Sequence, residues 1–133
     1  MNGVIPTVRR MLLCDDAESH QNHPNRWNVS GLLHALTFAA ETTFPTCHPL
    51  LTILLHLTGG RGSGVVSIVG VHADSEQVVF TTPQRTIQFP SDPLAVHGLV
   101  FRILDVPIPA RGLYYIWFQY NEQVIHQQPL LIR

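Results

Sequence analysis

Apolar and polar residues alternate along most of this chain with a period of two, the pattern of half-buried β-strands. In Leu50–Thr58, Leu51, Ile53, Leu55 and Leu57 share one side, while Thr52, Leu54, His56 and Thr58 share the other. Leu99, Phe101 and Ile103 face one way within Val96–Val106, and Ile87 and Phe89 do so within Thr86–Phe89. Thr7–Cys14, Val65–Ala73 and Gln77–Thr82 read as further strands. Turn and breaker residues separate these runs: Asp74-Ser75-Glu76, Pro83-Gln84, Pro90–Pro93 and Pro107-Ile108-Pro109. The glycine-rich Gly59–Gly64 is short, which predicts an antiparallel hairpin between the strands on either side of it.

One strand departs from the alternation. After Gly112, the residues Leu113 to Tyr120 are all apolar or aromatic except Gln119. Asn121-Glu122 then offers a turn, and Gln123–Arg133 runs back. Tyr114, Ile116, Phe118 and Tyr120 share one face; Leu113, Tyr115, Trp117 and Gln119 share the other. A sandwich covers one face of each sheet, so the face with Tyr115 and Trp117 needs cover from elsewhere. A loop, with residues 37–49 the candidate, or the N-terminal segment is the cover expected within the chain, and a second copy is the simplest candidate outside it.

Two stretches are less regular. Asp15–Arg26 is rich in Asp, His, Asn and Gln and reads as a polar loop closed by His23-Pro24-Asn25. In Trp27–Thr43, Leu32, Leu33, Leu36 and Ala39-Ala40 fit a helical period, while Val29 and Gly31 suit a strand. We read a strand over Asn28–Leu36 and irregular or helical backbone over Thr37–Glu41. Residues 1–6 form a leader, and Phe44-Pro45 to His48-Pro49 is a loop fenced by prolines.

About eight or nine short strands with regularly spaced turns predict an all-β fold. The expected architecture is a single antiparallel, immunoglobulin-like β-sandwich domain over residues 1–133. Gly112-Leu113-Tyr114 adds to this, since a tyrosine there can fold back on the preceding loop.

The chain also resembles a family of small, uncharacterised bacterial β-sandwich proteins of immunoglobulin-like type, a domain of unknown function. Four features carry the resemblance. Leu12-Leu13-Cys14-Asp15 ends the first strand, and Trp27-Asn28-Val29-Ser30-Gly31 leads into a strand with a central glycine. Phe44-Pro45 to His48-Pro49 is the fenced loop, and Gly112–Tyr120 with Val124–Ile132 closes the chain. The resemblance implies the fold and brings no activity, cofactor or catalytic residue.

Composition narrows the partners. Charged residues make up 13% of the 133 residues, about half the usual share. The formal net charge is -1, and the basic residues, all arginine, are scattered. Neither nucleic acid nor an anionic membrane is favoured by that balance. The absence of lysine fits a GC-rich genome. Two cysteines, Cys14 and Cys47, make no disulfide framework and fit free thiols in a reducing cytoplasm. No signal peptide is evident, and Leu50–Leu57 is too short to span a bilayer. A soluble cytoplasmic protein is expected.

Three kinds of site compete. Tyr115 and Trp117, flanked by Leu113, are the expected interface of a non-enzymatic interaction module, most simply a homodimer. Asp16, His20 and His23 carry carboxylate and imidazole groups that suit zinc, yet His-x-x-His in a loop is not a specific signature. Trp27 beside the polar loop could stack on a sugar or other small ligand. Cys47-His48 is a poor nucleophile–base pair, because neighbours on an extended strand point apart. Gly59–Gly64 lacks the spacing and lysine of a phosphate-binding loop. No cofactor is expected, and no catalytic residues stand out. The eight histidines suggest pH-sensitive stability near pH 6.5.

Overall fold

The computed structural model describes residues 3–133; Met1 and Asn2 of the expected leader lie outside it. It is all β, with eleven strands and no helix among the described residues. One sheet has the order β1-β5-β9: β1 (Thr7–Cys14), β5 (Thr46–Thr58) and β9 (His97–Ile108). The larger sheet is built around β10 (Gly112–Tyr120), flanked by β11 (Gln123–Ile132) and β6 (Ser63–His72). Beyond β11 lies β4 (Ala35–Leu36); on the far edge of β6 lie β7 (Val78–Thr81) and β8 (Arg85–Gln88). A separate hairpin pairs β2 (Asp16–His20) with β3 (His23–Ser30).

The eleven strands exceed the eight or nine expected. The additions are β2, which lies in the stretch read as a polar loop, and a split of the strand expected over Asn28–Leu36, which breaks at Gly31–His34 into the end of β3 and the two-residue β4. The larger sheet is mixed and not purely antiparallel, because β4 runs parallel to β11. No helix forms over Thr37–Glu41, where the backbone carries only a turn from Ala39 to Thr42.

The two larger sheets share one core. Leu51, Ile53, Leu55 and Leu57 of β5 meet Ile116, Phe118 and Tyr120 of β10 in it, with Leu99 and Phe101 of β9 and Val66 and Ile68 of β6. All are the inward residues of their alternating strands. Each such aliphatic side chain contributes roughly 1.5–3 kcal/mol when withdrawn from water. β9 reverses its faces near Asp105, which has φ 50°. Before it, Leu99 and Phe101 are buried; after it, Val106 and Ile108 are; Leu104 is left 71% exposed.

Gly59–Gly64 is not a hairpin turn. Both edges of β5 are occupied, by β1 and β9, so β6 has no place beside it. The segment instead carries the chain from one sheet to the other. Gly59 and Gly62 supply the left-handed backbone, with φ 75° and 72°. Gly60 lies against the ring of Phe89, where a Cβ would collide.

Gly112-Leu113-Tyr114 forms the expected tyrosine corner. The Tyr114 hydroxyl donates to the Ala110 carbonyl at 2.6 Å and accepts from the Ala110 N–H at 3.2 Å. Tyr120, six residues on in the same core, is buried too, but its hydroxyl has no protein partner among the described residues. The same substitution should therefore have opposite outcomes. Tyr114→Phe strips two backbone groups of their partner and should cost about 1–2 kcal/mol in urea unfolding. Tyr120→Phe removes only an unpaired hydroxyl and should be neutral or stabilising; a larger loss at Tyr120 than at Tyr114 would contradict this account.

Candidate functional site

The segment read as a polar loop is the β2–β3 hairpin, and it covers the outer side of the β1-β5-β9 sheet. The chain leaves β1 at Cys14 and turns at Asp15. The Asp15 N–H donates to the carbonyls of Ser30 and Gly31, and the buried Thr52 hydroxyl donates to the Asp15 carbonyl at 2.9 Å. Gly31, with φ 65°, presses on the Asp15 side chain so closely that a Cβ there would collide. Ala17 and Trp27 then pack with Cys14, Leu54, Leu12 and Val100 in a second, smaller core. Arg102 of β9 ties the hairpin down. Its Nε binds the Asp16 carboxylate at 3.1 Å, and its Nη2 donates to the Ala17 carbonyl at 2.6 Å. This half-exposed ion pair contributes little by itself; the bond to the backbone fixes where the hairpin lies. The turn is Gln21-Asn22, and Pro24-Asn25 lie within β3.

This geometry separates the three proposed metal ligands. His20 and His23 pair across the turn, with ring centroids 4.8 Å apart. Asp16 pairs with Ser30 at the other end of the hairpin, about 13 Å away along the strand, and holds Arg102. Among the described residues no group of three His, Cys, Asp or Glu side chains converges on one point.

Trp27 lines a cavity of about 590 Å³, within the ordinary range for small-molecule sites. Its indole rests on Gly98, where a Cβ would collide. It also tilts against the ring of His56, centroid to centroid 5.6 Å. Arg10 is the partner of His56 on β1, and Gly98 is its partner on β9. Asp92, Leu94, Ala95 and Val96 of the β8–β9 loop complete the wall. Burial lowers the His56 pKa below 6.5, and the Arg10 charge lowers it further. The sequence hid this site because Arg10, Trp27, His56 and Asp92 lie on four separate segments.

Leu113, Tyr115 and Trp117 lie on the outer face of the larger sheet, each half-buried. Tyr115 sits between Val71 and Pro129, and Trp117 between Val69 and Gln127. The Trp117 Nε1 donates to the Gln127 Oε1 at 3.1 Å. At the rim, Val78 and Val124 are 54% and 40% exposed. None of the paired outer positions of β6, β10 and β11 is an Asp, Glu, Arg or His. Residues 37–49 do not cover this face. Phe38 and Phe44 pack against the core between the sheets, Arg111 donates to the Phe38 and Ala39 carbonyls, and β5 begins at Thr46.

The cysteines are free: Cys14 is buried and Cys47 exposed. Burial raises the Cys14 pKa, with Asp16 and Asp15 adding to the effect. That environment disfavours the thiolate needed for nucleophilic chemistry. His48, next to Cys47, is half-buried.

Fold and surfaces together define an all-β protein whose two packed sheets carry a covering hairpin on one side and an open aromatic face on the other. The chain belongs to DUF6941, a family of unknown function whose model matches residues 9–133. No curated protein matches it. No helix among the described residues is long and apolar enough to cross a membrane.

His56 and His97 both have pKa values lowered below 6.5, chiefly by burial. Between the folded and unfolded pKa values, the unfolded chain binds more protons at these sites. Their contribution to stability is therefore complete above pH 6.5 and is lost as pH falls through the folded pKa values. The melting temperature should drop on acidification from pH 7.5 to 5.5, and a His56→Gln, His97→Gln double variant should flatten that drop. A wild-type melting temperature that stays level over this range would show that burial of the two rings is not coupled to folding.

Proposed function

We propose that this protein is a non-enzymatic interaction module that self-associates through the outer face of its larger sheet. The carrying observation is an uncovered row of Leu113, Tyr115 and Trp117 on a face with no Asp, Glu, Arg or His at its paired central positions. Open sheet faces in monomers usually carry charges, which oppose unwanted association. This face has none at those positions, whereas Arg10, Arg102 and Asp16 lie on the outer side of the other sheet.

A second copy is the occupant that fits. A neutral surface gains nothing from a charged partner, and a dyad lays like against like without repulsion. β10 has nine residues, about 30 Å of strand, and four neighbouring strands span roughly 20 Å. The resulting ~600 Å² per protomer approaches the ~800 Å² typical of a specific interface. Tyr and Trp are favoured anchors of such surfaces. The immunoglobulin-like sandwich, the soluble cytoplasmic setting and the bacterial origin belong to the same proposal. The tyrosine corner supports the first of these.

Light scattering at rising concentration should find a dimer for the wild type. Trp117→Glu, shown to be folded by circular dichroism, should weaken the dimer at least ~30-fold, as expected for a central aromatic anchor. Leu104→Glu, at an exposed site on the other sheet, should leave it intact. A wild type that stays monomeric at the highest concentration reached overturns the proposal.

A further inference from the structure

We infer that the cavity beside Trp27 binds a small carboxylate with a ring-shaped body. The cavity lies on the outer side of the β1-β5-β9 sheet, away from the proposed self-association face, and does not depend on that reading.

One cationic group there lacks a partner. Arg10, opposite His56 across the β1–β5 pair, lines the cavity and makes no ion pair among the described residues, where the single one is Arg102–Asp16. The His56 Nε2 is closed off from solvent, and burial with the Arg10 charge favours the neutral ring, so Arg10 is the cation of this wall. A guanidinium offers only donors, and a carboxylate meets it with two charge-assisted bonds. Its negative charge also offsets the Arg10 field that bears on His56.

The remaining walls suit a ring. Trp27 offers an aromatic surface held in place by its seat on Gly98. Leu94 and Val96, 86% and 53% exposed, add apolar side chains to the lining. Asp92 accepts the Leu94 N–H through Oδ1, which leaves its second oxygen to accept a hydroxyl from the ligand body. A sugar acid uses all of these contacts; a flat aromatic acid uses all but the last.

The test is a fluorescence titration. Trp117→Phe leaves Trp27 as the sole indole of a chain with two tryptophans. The probes are glucuronate against glucose, and benzoate against benzyl alcohol. At least one acid should bind about tenfold or more tightly than its neutral counterpart, the scale of one charge-assisted contact. Arg10→Met should remove that advantage, and Arg10→Lys, which keeps the charge but not the paired donors, should retain only part of it. Preference for glucuronate identifies the body as a sugar, and preference for benzoate identifies it as a flat aromatic ring. The inference fails if neither acid changes Trp27 emission, if neutral probes bind equally well, or if Arg10→Met binds the acid unchanged. The comparison of acid with neutral probe stands even if Arg10→Met does not fold.

Discussion

Strand β5 runs through the middle of its sheet with large apolar side chains on both faces, and much of the fold is arranged around burying both. Leu51, Ile53, Leu55 and Leu57 point to the larger sheet and are fully buried in the shared core. Leu54 and Thr52, on the opposite face, are just as inaccessible. A two-layer stack hides only the first set. The chain supplies the second cover itself by bending at Asp15 and folding the β2–β3 hairpin back over the sheet. The bend is held by Thr52, the very residue whose hydroxyl would otherwise be buried without a partner.

β10 poses the same problem and meets a different solution. Its inner face is closed by the core, and its outer face carries Leu113, Tyr115 and Trp117 between Val69, Val71, Pro129 and Gln127. No segment comparable to the hairpin is spent on it. The segment expected to cover it, residues 37–49, instead packs Phe38 and Phe44 against the core, where Phe38 meets Phe44 edge to ring and Arg111 lies over Phe44. Of two strands apolar on both faces, one is covered from within the chain and the other stays open.

The sequence was legible where one face of a strand is wet. Alternation placed Leu51–Leu57, Leu99–Phe101 and Tyr114–Tyr120 on their inward faces, and Gly112-Leu113-Tyr114 announced the tyrosine corner. It was illegible where packing is carried by few residues. The hairpin contributes little more than Ala17 and Trp27 to its core, so Asp15–Arg26 reads as solvated. The alternation of Ala17 with Ser19, set against Trp27 with Val29, was the available signal. Pairing was also hidden. Short connections favour hairpins, but β5 and β6 are parted because β1 and β9 occupy both edges of β5, and those contacts are distant in sequence. The cavity was hidden for the same reason, since its four key side chains become neighbours only when the hairpin closes over the sheet.

The two outer surfaces divide the chain's polarity between them. The hairpin side gathers Arg10, Arg102, Asp16 and the histidines of the turn, while the middle of the larger sheet's outer face carries no charge. Low overall charge is thus unevenly spent, and the unevenness has a geometric consequence. A dyad through the uncharged face places both hairpins at the outer ends of the pair, with each Trp27 cavity turned to solvent. The association proposed through Trp117 and the ligand binding inferred beside Trp27 would use opposite sides of the two-sheet stack. Neither blocks the other, and any coupling between them has to pass through the shared core of β5 and β10, where close packing resists gradual deformation.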